Sequence, residues 1–346
     1  MRIFDSIVKW ITVTRNLVFL SLLILLMIIP VLLIPFGFDL YGNEVSVGDY
    51  ILTFLVYANI GAVFAASWDL TAGVTGQFSF GQALFFGLAG YVSGYLNLYF
   101  RLPPVLTILA GGCFGVLVGV VVALPSLMLK GPYFMIVSLI FPGILASIVG
   151  MYPEVFGESG LYGLSNISSY HVVTYYAAVF IMLLSIFVLL RILSSRLGII
   201  FRSIRDDEDV AEATGINTTK YKLLAWGISG FFAGISGGFQ AHMLMTINLA
   251  NFAVFASFSA IVFAMLGGIG TIIGSVMGSY LLTTLNEVLR DLRELRSLVY
   301  AGTLIIVTLY IPFGIYRWLA MRYNIQIGAW NGLKELRRKK LDASNP

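Results

Sequence analysis

Runs of about 20 predominantly apolar residues recur along the chain, and an α-helix needs about that length to cross a bilayer. Candidate spans lie near residues 17–36, 50–67, 81–100, 105–129, 132–151, 173–191, 222–245 and 298–316. Hydrophobic residues make up 59% of the chain and charged residues 11%, whereas a soluble domain has about a quarter charged residues. Because lipid offers no hydrogen-bond partners to the backbone, the sequence predicts an all-α polytopic membrane protein.

Glycines interrupt a further apolar run at residues 255–287, near Gly267, Gly268 and Gly270. The halves, about 12 and 16 residues long, are short for full spans. We therefore predict a pair of short or broken helices that enters the membrane, turns and returns. This gives about ten membrane-embedded helices, some of them broken or re-entrant, in a transmembrane domain of residues 1–316.

Lysine and arginine placement orients the spans, because cytoplasmic loops carry an excess of both. The N-terminus is basic, as are the 192–222 loop and the tail at residues 317–346. The loops near 37–49 and 152–172 carry acidic residues and no basic ones. Both termini and the 192–222 loop are accordingly predicted to be cytoplasmic, with 37–49 and 152–172 outside.

A second break lies at residues 68–82, where glycines and neutral hydrogen-bonding side chains join two spans. Irregular backbone at membrane depth is tolerated where it is buried in protein or lines a water-filled path. We predict that both breaks border a translocation path, with these residues as candidates: Gln77, Ser79, Gln82, Gly267, Gly268 and Gly270. The alternative is that the glutamines only form hydrogen bonds between helices.

The polar segment at residues 201–222 separates two apolar stretches and must lie in water. It predicts a short helix, with Asp206 or Asp207 as its cap, Glu208 and Asp209 in its first turn, and Gly215 as its left-handed stop. Two turns are unstable alone, so a partner is expected to hold them. The alternative is a solvated loop that only satisfies topology.

Four ordered motifs resemble one family of membrane proteins. They are QFSFGQALFFG at 77–87, LKGPYFMIV at 129–137, SIRDDEDVAEATGIN at 203–217 followed by KYKLLA at 220–225, and LGGIGTIIG at 266–274. Together they are similar to the second, LivM-type permease subunit of branched-chain amino acid ATP-binding-cassette importers. The similarity extends over about residues 60–316.

The resemblance implies a ten-helix permease in a prokaryotic inner membrane, forming half of a translocation path for branched-chain or related small amino acids. The implied partners are a second permease subunit, two ATPase subunits that hold ATP and Mg²⁺, and an extracytoplasmic substrate-binding protein. The implied ATPase-coupling helix contains Glu212, Ala213 and Gly215, preceded by Asp206 and Asp207. Gln82 stands where comparable members usually have histidine, which leaves importers of urea or short amides as an alternative.

The sequence offers less support for other classes of protein function. It contains no phosphate-binding loop, no His-Glu-x-x-His or Gly-x-Ser-x-Gly motif, and no basic patch other than those at span edges and the tail. We therefore expect no enzyme activity, metal site, cofactor or nucleic-acid partner for this chain. A secondary carrier would need a coupling-ion site, for which the nearest candidates are Asp69, Glu287 and His242.

Overall fold

A computed structural model describes residues 47–126, 132–157 and 160–289, with isolated positions between 302 and 318. Predicted spans 17–36 and 298–316 and the basic tail lie wholly or largely outside these residues. The described helices are α1 (Val47–Asp69), α2 (Gln82–Phe100), α3 (Pro104–Ser126), α4 (Pro132–Gly150), α5 (Pro153–Phe156), α6 (His171–Ser194), α7 (Arg196–Asp206), α8 (Glu208–Ala213), α9 (Thr218–Leu244), α10 (Val254–Gly267) and α11 (Ile272–Val288).

Five of these helices are long and apolar enough to cross a membrane: α1, α2, α3, α4 and α6. The bent pair α10–α11 gives a sixth span if it is counted as one. α9 occupies predicted span 222–245 but is not among the five, because its many glycines and serines, with Gln240 and His242, lower its hydropathy. The helical membrane architecture is confirmed, while the total of ten helices and the position of the termini stay predictions.

α9 lies at the centre of the described bundle, against α1, α2 and α3. Its glycines face those of α3: a Cβ on Gly230 would overlap the carbonyl oxygen of Gly115, and one on Gly119 would lie 2.7 Å from the carbonyl oxygen of Trp226. Such close backbone approach is possible only with small residues. These glycines therefore serve the packing of α3 against α9.

The outer helices present apolar side chains away from the bundle. On α4, Ile136, Ile140, Ile144 and Ile148 are exposed at intervals of four residues, which places them on one helix face. An apolar stripe of this kind suits contact with lipid or another membrane subunit rather than water.

α10 and α11 form the break predicted within 255–287, bent by 111°. Gly268 and Gly270 have φ values of 121° and 77°, which favour glycine over other residues. The Thr271 hydroxyl donates to the carbonyl oxygen of Gly268 at 2.5 Å and helps to close the turn. The predicted broken helix pair is confirmed.

The connections on one side of the bundle form a small two-stranded sheet. β1 (Leu161–Tyr162) pairs antiparallel with β2 (Thr246–Ile247), so that Leu161 faces Ile247. A 3₁₀ turn, Leu249–Phe252, follows β2 and leads into α10. On the opposite side, α7 and α8 occupy the predicted 192–222 loop.

Candidate functional site

The end of α1 positions both broken segments. After Asp69 the chain continues as a π-helical turn, Leu70–Val74, whose five residues are all buried. Widened turns of this type are common at functional sites. The non-helical segment before α2 and the glycine turn before α11 both form hydrogen bonds with this region.

The Asp69 carboxylate connects α1 to the glycine turn. Asp69 is fully buried, and its Oδ1 accepts the backbone N–H of Gly270 at 2.6 Å. This N–H lies just before α11, where helix geometry leaves amide donors without intrahelical partners. A Cβ on Gly73 would overlap both Asp69 Oδ1 and Gly270 N, so the three residues are closely packed.

The segment before α2 is bonded to the same end of α1. The indole N–H of Trp68 donates to the carbonyl oxygen of Ser79 at 2.7 Å, and the Gln77 backbone N–H donates to that of Thr71 at 2.9 Å. The indole N–H of Trp226 on α9 donates to Gln77 Oε1. Two of the predicted path residues are therefore anchored by the indoles of two tryptophans.

Gln82 lies buried between three helices. Its Nε2 donates to the hydroxyls of Ser67 on α1 at 2.8 Å and Ser229 on α9 at 3.2 Å. Both hydroxyls already donate to backbone carbonyls, which fixes the orientation of the amide. Gln82 Oε1 then has no hydrogen-bond partner among the residues that the structure describes.

Side chains of other helices complete the start of α2. The Phe80 N–H donates to Ser138 Oγ on α4 at 2.9 Å, and the Ala83 N–H donates to Ser257 Oγ on α10 at 2.8 Å. These two backbone N–H groups are thus satisfied within the protein, as such groups must be at membrane depth. The structure brings Gln77, Ser79, Gln82 and Gly270 together around the end of α1, and their role in translocation stays a prediction.

The segment at residues 192–222, predicted to be cytoplasmic, contains the two helices α7 and α8, whereas the sequence predicted one. α7 is an amphipathic helix: Phe201 and Ile204 are buried on one face, while Ile199 is exposed on the other. α8 is the predicted short helix: Asp207 is its cap, with Oδ1 accepting from the Val210 N–H at 3.0 Å. Gly215 has a φ of 89°, the predicted left-handed stop.

Internal contacts hold α8 against the start of α9. Glu208 forms an ion pair with Lys222, and Thr218 donates to Glu212 Oε1 at 2.7 Å. Ala211, on the inner face of α8, is buried. Six residues of the predicted coupling set are exposed, as is Val210, so that α8 and its flanks present an acidic and mildly apolar surface; the six are Asp206, Asp207, Asp209, Glu212, Ala213 and Gly215.

The 192–222 segment also contacts the broken segment at the end of α1 directly. Arg205, in the last turn of α7, donates from Nη1 to the carbonyl oxygen of Gly73 at 2.7 Å. From the sequence, Arg205 bears only on topology, and Asp69 is only a candidate for ion coupling. The position of Asp69 in the first break was the available signal, but its contact with Gly270 and that of Arg205 with Gly73 depend on the tertiary fold.

The candidates for ion coupling have structural partners. His242 is buried, its Nδ1 is 2.8 Å from the carbonyl oxygen of Ser165, and its Nε2 is near the hydroxyls of Ser93 and Thr107. A carbonyl can only accept, so Nδ1 carries the hydrogen and the ring joins α2, α3 and the loop before α6. Within residues 47–289 as described, no cluster of His, Cys, Asp and Glu could hold a metal ion.

An apolar cavity of about 690 Å³ lies away from these breaks, between α3, α6 and the first half of α9. Val116, Val188, Leu223 and Phe231 contribute to its walls. None of the predicted path residues lines it.

Known proteins with similar sequences are transport permeases. The family model described as "Branched-chain amino acid transport system / permease component" matches residues 50–308. The high-affinity branched-chain amino acid transport system permease protein LivM of Escherichia coli is 24% identical over 294 residues, covering 76% of this chain and 69% of the relative.

Two further relatives carry related names. The probable branched-chain amino acid transport permease protein LivH of Methanocaldococcus jannaschii is 24% identical over 242 residues, covering 66% of this chain and 76% of the relative. The high-affinity branched-chain amino acid transport system permease protein BraD of Pseudomonas aeruginosa is 29% identical over 163 residues, covering 46% of this chain and 52% of the relative. No solved structure matches significantly.

Proposed function

Because the chain belongs to the family of branched-chain amino acid transport permease components, we propose that it is one membrane subunit of an ATP-driven importer. In this proposal it pairs with a related permease subunit in a prokaryotic inner membrane, with both termini cytoplasmic. Two ATPase subunits bind ATP and Mg²⁺ on the cytoplasmic side. A substrate-binding protein delivers the substrate from outside.

The observation that carries the proposal is the construction of α8. The helix has only six residues, yet the Asp207 cap, the Glu208–Lys222 ion pair and the buried Ala211 fix it on the bundle. Its outer surface combines acidic side chains with Val210, which is 59% exposed. A short helix held rigidly with such a surface outward suits docking into a cleft of a soluble subunit, and we assign that subunit as the ATPase.

The proposed substrate class is branched-chain or related small amino acids. The relatives' names support this class. Apart from Asp69, whose carboxylate is bonded to the Gly270 N–H, the two broken segments offer neutral hydrogen-bonding groups. Such groups suit a zwitterion or an uncharged molecule. Urea and short amides are the alternative, and they enter the test as competing substrates.

The test is reconstitution of the permease with its partner subunits in proteoliposomes that enclose ATP. We expect uptake of radiolabelled leucine, isoleucine or valine that requires the binding protein and hydrolysable ATP. Uptake without ATPase subunits, or ATP-driven uptake of urea in preference to these amino acids, would contradict the proposal.

A charge reversal tests the role of α8 in the same assay. Glu212 is exposed, so Glu212→Lys exchanges its hydrogen bond with Thr218 for a cation on the outer surface of α8. The variant is expected to keep the permease inserted while uncoupling ATP hydrolysis from uptake. Glu154→Lys, an exposed acidic residue of α5 on the predicted outer side, is the matched control and should transport normally. Normal uptake by Glu212→Lys would remove α8 from the ATPase interface.

A further inference from the structure

We propose that Arg205 and Asp69 are positioning residues that transmit movement of the cytoplasmic segment to the glycine turn between α10 and α11. The inference rests on the proposed function and adds a route through named contacts. The route runs from α8 through the end of α7 to the π-helical turn after α1, and from there to Gly270.

The first contact connects α7 to the broken segment. Gly73 lies near the end of the π-helical turn, where the helix leaves carbonyl groups without intrahelical partners and the helix dipole is negative. The Arg205 guanidinium binds this carbonyl at 2.7 Å. Hydrogen bonds that involve a charged group are roughly twice as strong as neutral ones, so this contact is well suited to transmit force.

The second contact connects the broken segment to the α10–α11 turn. The Asp69 carboxylate binds the Gly270 N–H at 2.6 Å, at the positive end of α11. In both contacts a charged side chain binds a backbone atom of another segment. A shift of either segment therefore acts on the main chain of the next one.

The segments that form this route are closely packed against one another. A Cβ on Gly76 would lie 2.8 Å from Cγ of Arg205, and a Cβ on Gly73 would overlap Asp69 and Gly270. Segments packed this closely move together or separate, since packed interfaces are not continuously deformable. The Arg205 Nε also lies 3.6 Å from Oδ1 of Asp206. Asp206 directly precedes Asp207, the cap of α8, so the route begins where α8 begins.

The experiment measures uptake and ATP hydrolysis by the reconstituted complex and takes their ratio as the coupling. Arg205→Gln removes the charge, whereas Arg205→Lys keeps the charge and can still donate to the Gly73 carbonyl. Asp69→Asn keeps the shape and an acceptor oxygen but removes the charge. We expect Arg205→Gln and Asp69→Asn to lower uptake per ATP about fivefold or more, a usual size for coupling between sites. Arg205→Lys should retain at least half of the wild-type uptake per ATP.

Arg202 supplies the matched control. It lies on the same helix, but its guanidinium donates to the carbonyl oxygen of Leu193 in α6, at 3.1 Å. Arg202→Gln should therefore keep the wild-type coupling. An equal loss in Arg202→Gln, or a proportional fall of uptake and hydrolysis in Arg205→Gln, would overturn the inference.

A double variant tests whether the two residues form one route. Arg205→Gln/Asp69→Asn should be no worse than the more severe single variant, because either change already interrupts transmission. Additive losses would contradict a shared route. Arg205 is 39% exposed and its variants are expected to fold, so the Arg205 series decides the inference if Asp69→Asn does not assemble.

The wild-type complex separates this inference from the proposed function. Absence of ATP-driven uptake in wild type would contradict the proposed function and the transmission role together. Normal coupling in Arg205→Gln, measured against an active wild type, would contradict the inference alone.

Discussion

At the scale of single residues, the amide nitrogen of Gln82 donates hydrogen bonds to other helices, whereas its amide oxygen accepts none from the described residues. Its Nε2 joins α2 to hydroxyls on α1 and α9, which is the packing role considered from the sequence. Its buried Oε1 lacks a hydrogen-bond partner among the described residues, and such a group is costly unless a donor binds it. Water or a passing substrate ammonium would supply that donor, so the geometry accommodates the path role as well.

Substitution of Gln82 separates these two roles through the kinetics of uptake. If Gln82 borders the path, Gln82→Leu and Gln82→His should change KM or substrate preference severalfold. Interhelical hydrogen bonds in membrane bundles contribute less than about 1 kcal/mol on average, so folding should tolerate both variants. Concentration-dependent uptake of leucine, with urea and alanine as competitors, provides the measurement.

Asn59 offers the matched control for Gln82. It is a fully buried amide of α1 that accepts from the Tyr280 hydroxyl of α11 at 2.6 Å, away from the two breaks. Asn59→Ala should change thermal stability and leave KM unaltered. Unaltered kinetics in every Gln82 variant would remove this residue from the path.

At the scale of secondary-structure elements, the approach of α3 to α9 depends on glycine. Gly230→Ala would force a methyl group against the carbonyl oxygen of Gly115. Overpacking of this kind typically costs about 1–3 kcal/mol, and we expect a lower midpoint of thermal unfolding in detergent. The measurement is a melting curve of the purified permease.

Gly143→Ala is the corresponding control on α4. A Cβ there meets nothing within 4 Å, and alanine is a better helix former than glycine by about 1 kcal/mol. This variant should therefore melt at the same temperature as wild type or higher. An equal loss of stability in both variants would show that the α3–α9 contact is not the cause.

At the scale of the whole molecule, the predicted topology places α8 and both termini in the cytoplasm and the β1–β2 sheet outside. Single cysteines at two exposed positions, Tyr162→Cys and Val210→Cys, should react from opposite sides of the membrane. The native Cys113 is exposed and must first be replaced, for example by alanine. An impermeant maleimide should label Tyr162→Cys in intact cells and Val210→Cys only after permeabilisation.

A cysteine placed after residue 317 extends this labelling test to the tail, which the basic residues predict to be inside. It should behave like Val210→Cys. Labelling of the tail from outside in intact cells would contradict the predicted arrangement in which α10–α11 enters the membrane, turns and returns.

Features that follow from local chemistry could be predicted from the amino-acid sequence. Apolar length predicted α1 to α4, α6 and α9 within a few residues, because a span must match the bilayer. Glycine and its access to positive φ predicted the turn at residues 267–270 and the stop at Gly215. The Asp207 cap was one of two predicted alternatives, and the side chain that accepts the Val210 N–H distinguishes it from Asp206.

Which of these features contact one another depends on the packing of the helices. Asp69, Arg205 and Gly270 are far apart in the chain, and no periodicity connects them. Their contacts require α7 to pack beneath the end of α1 and the α10–α11 turn to reach the same place. Local chemistry selects the helices and their ends, but the partner of a buried charge depends on how the helices pack, because its hydrogen-bond donors and acceptors come from distant segments.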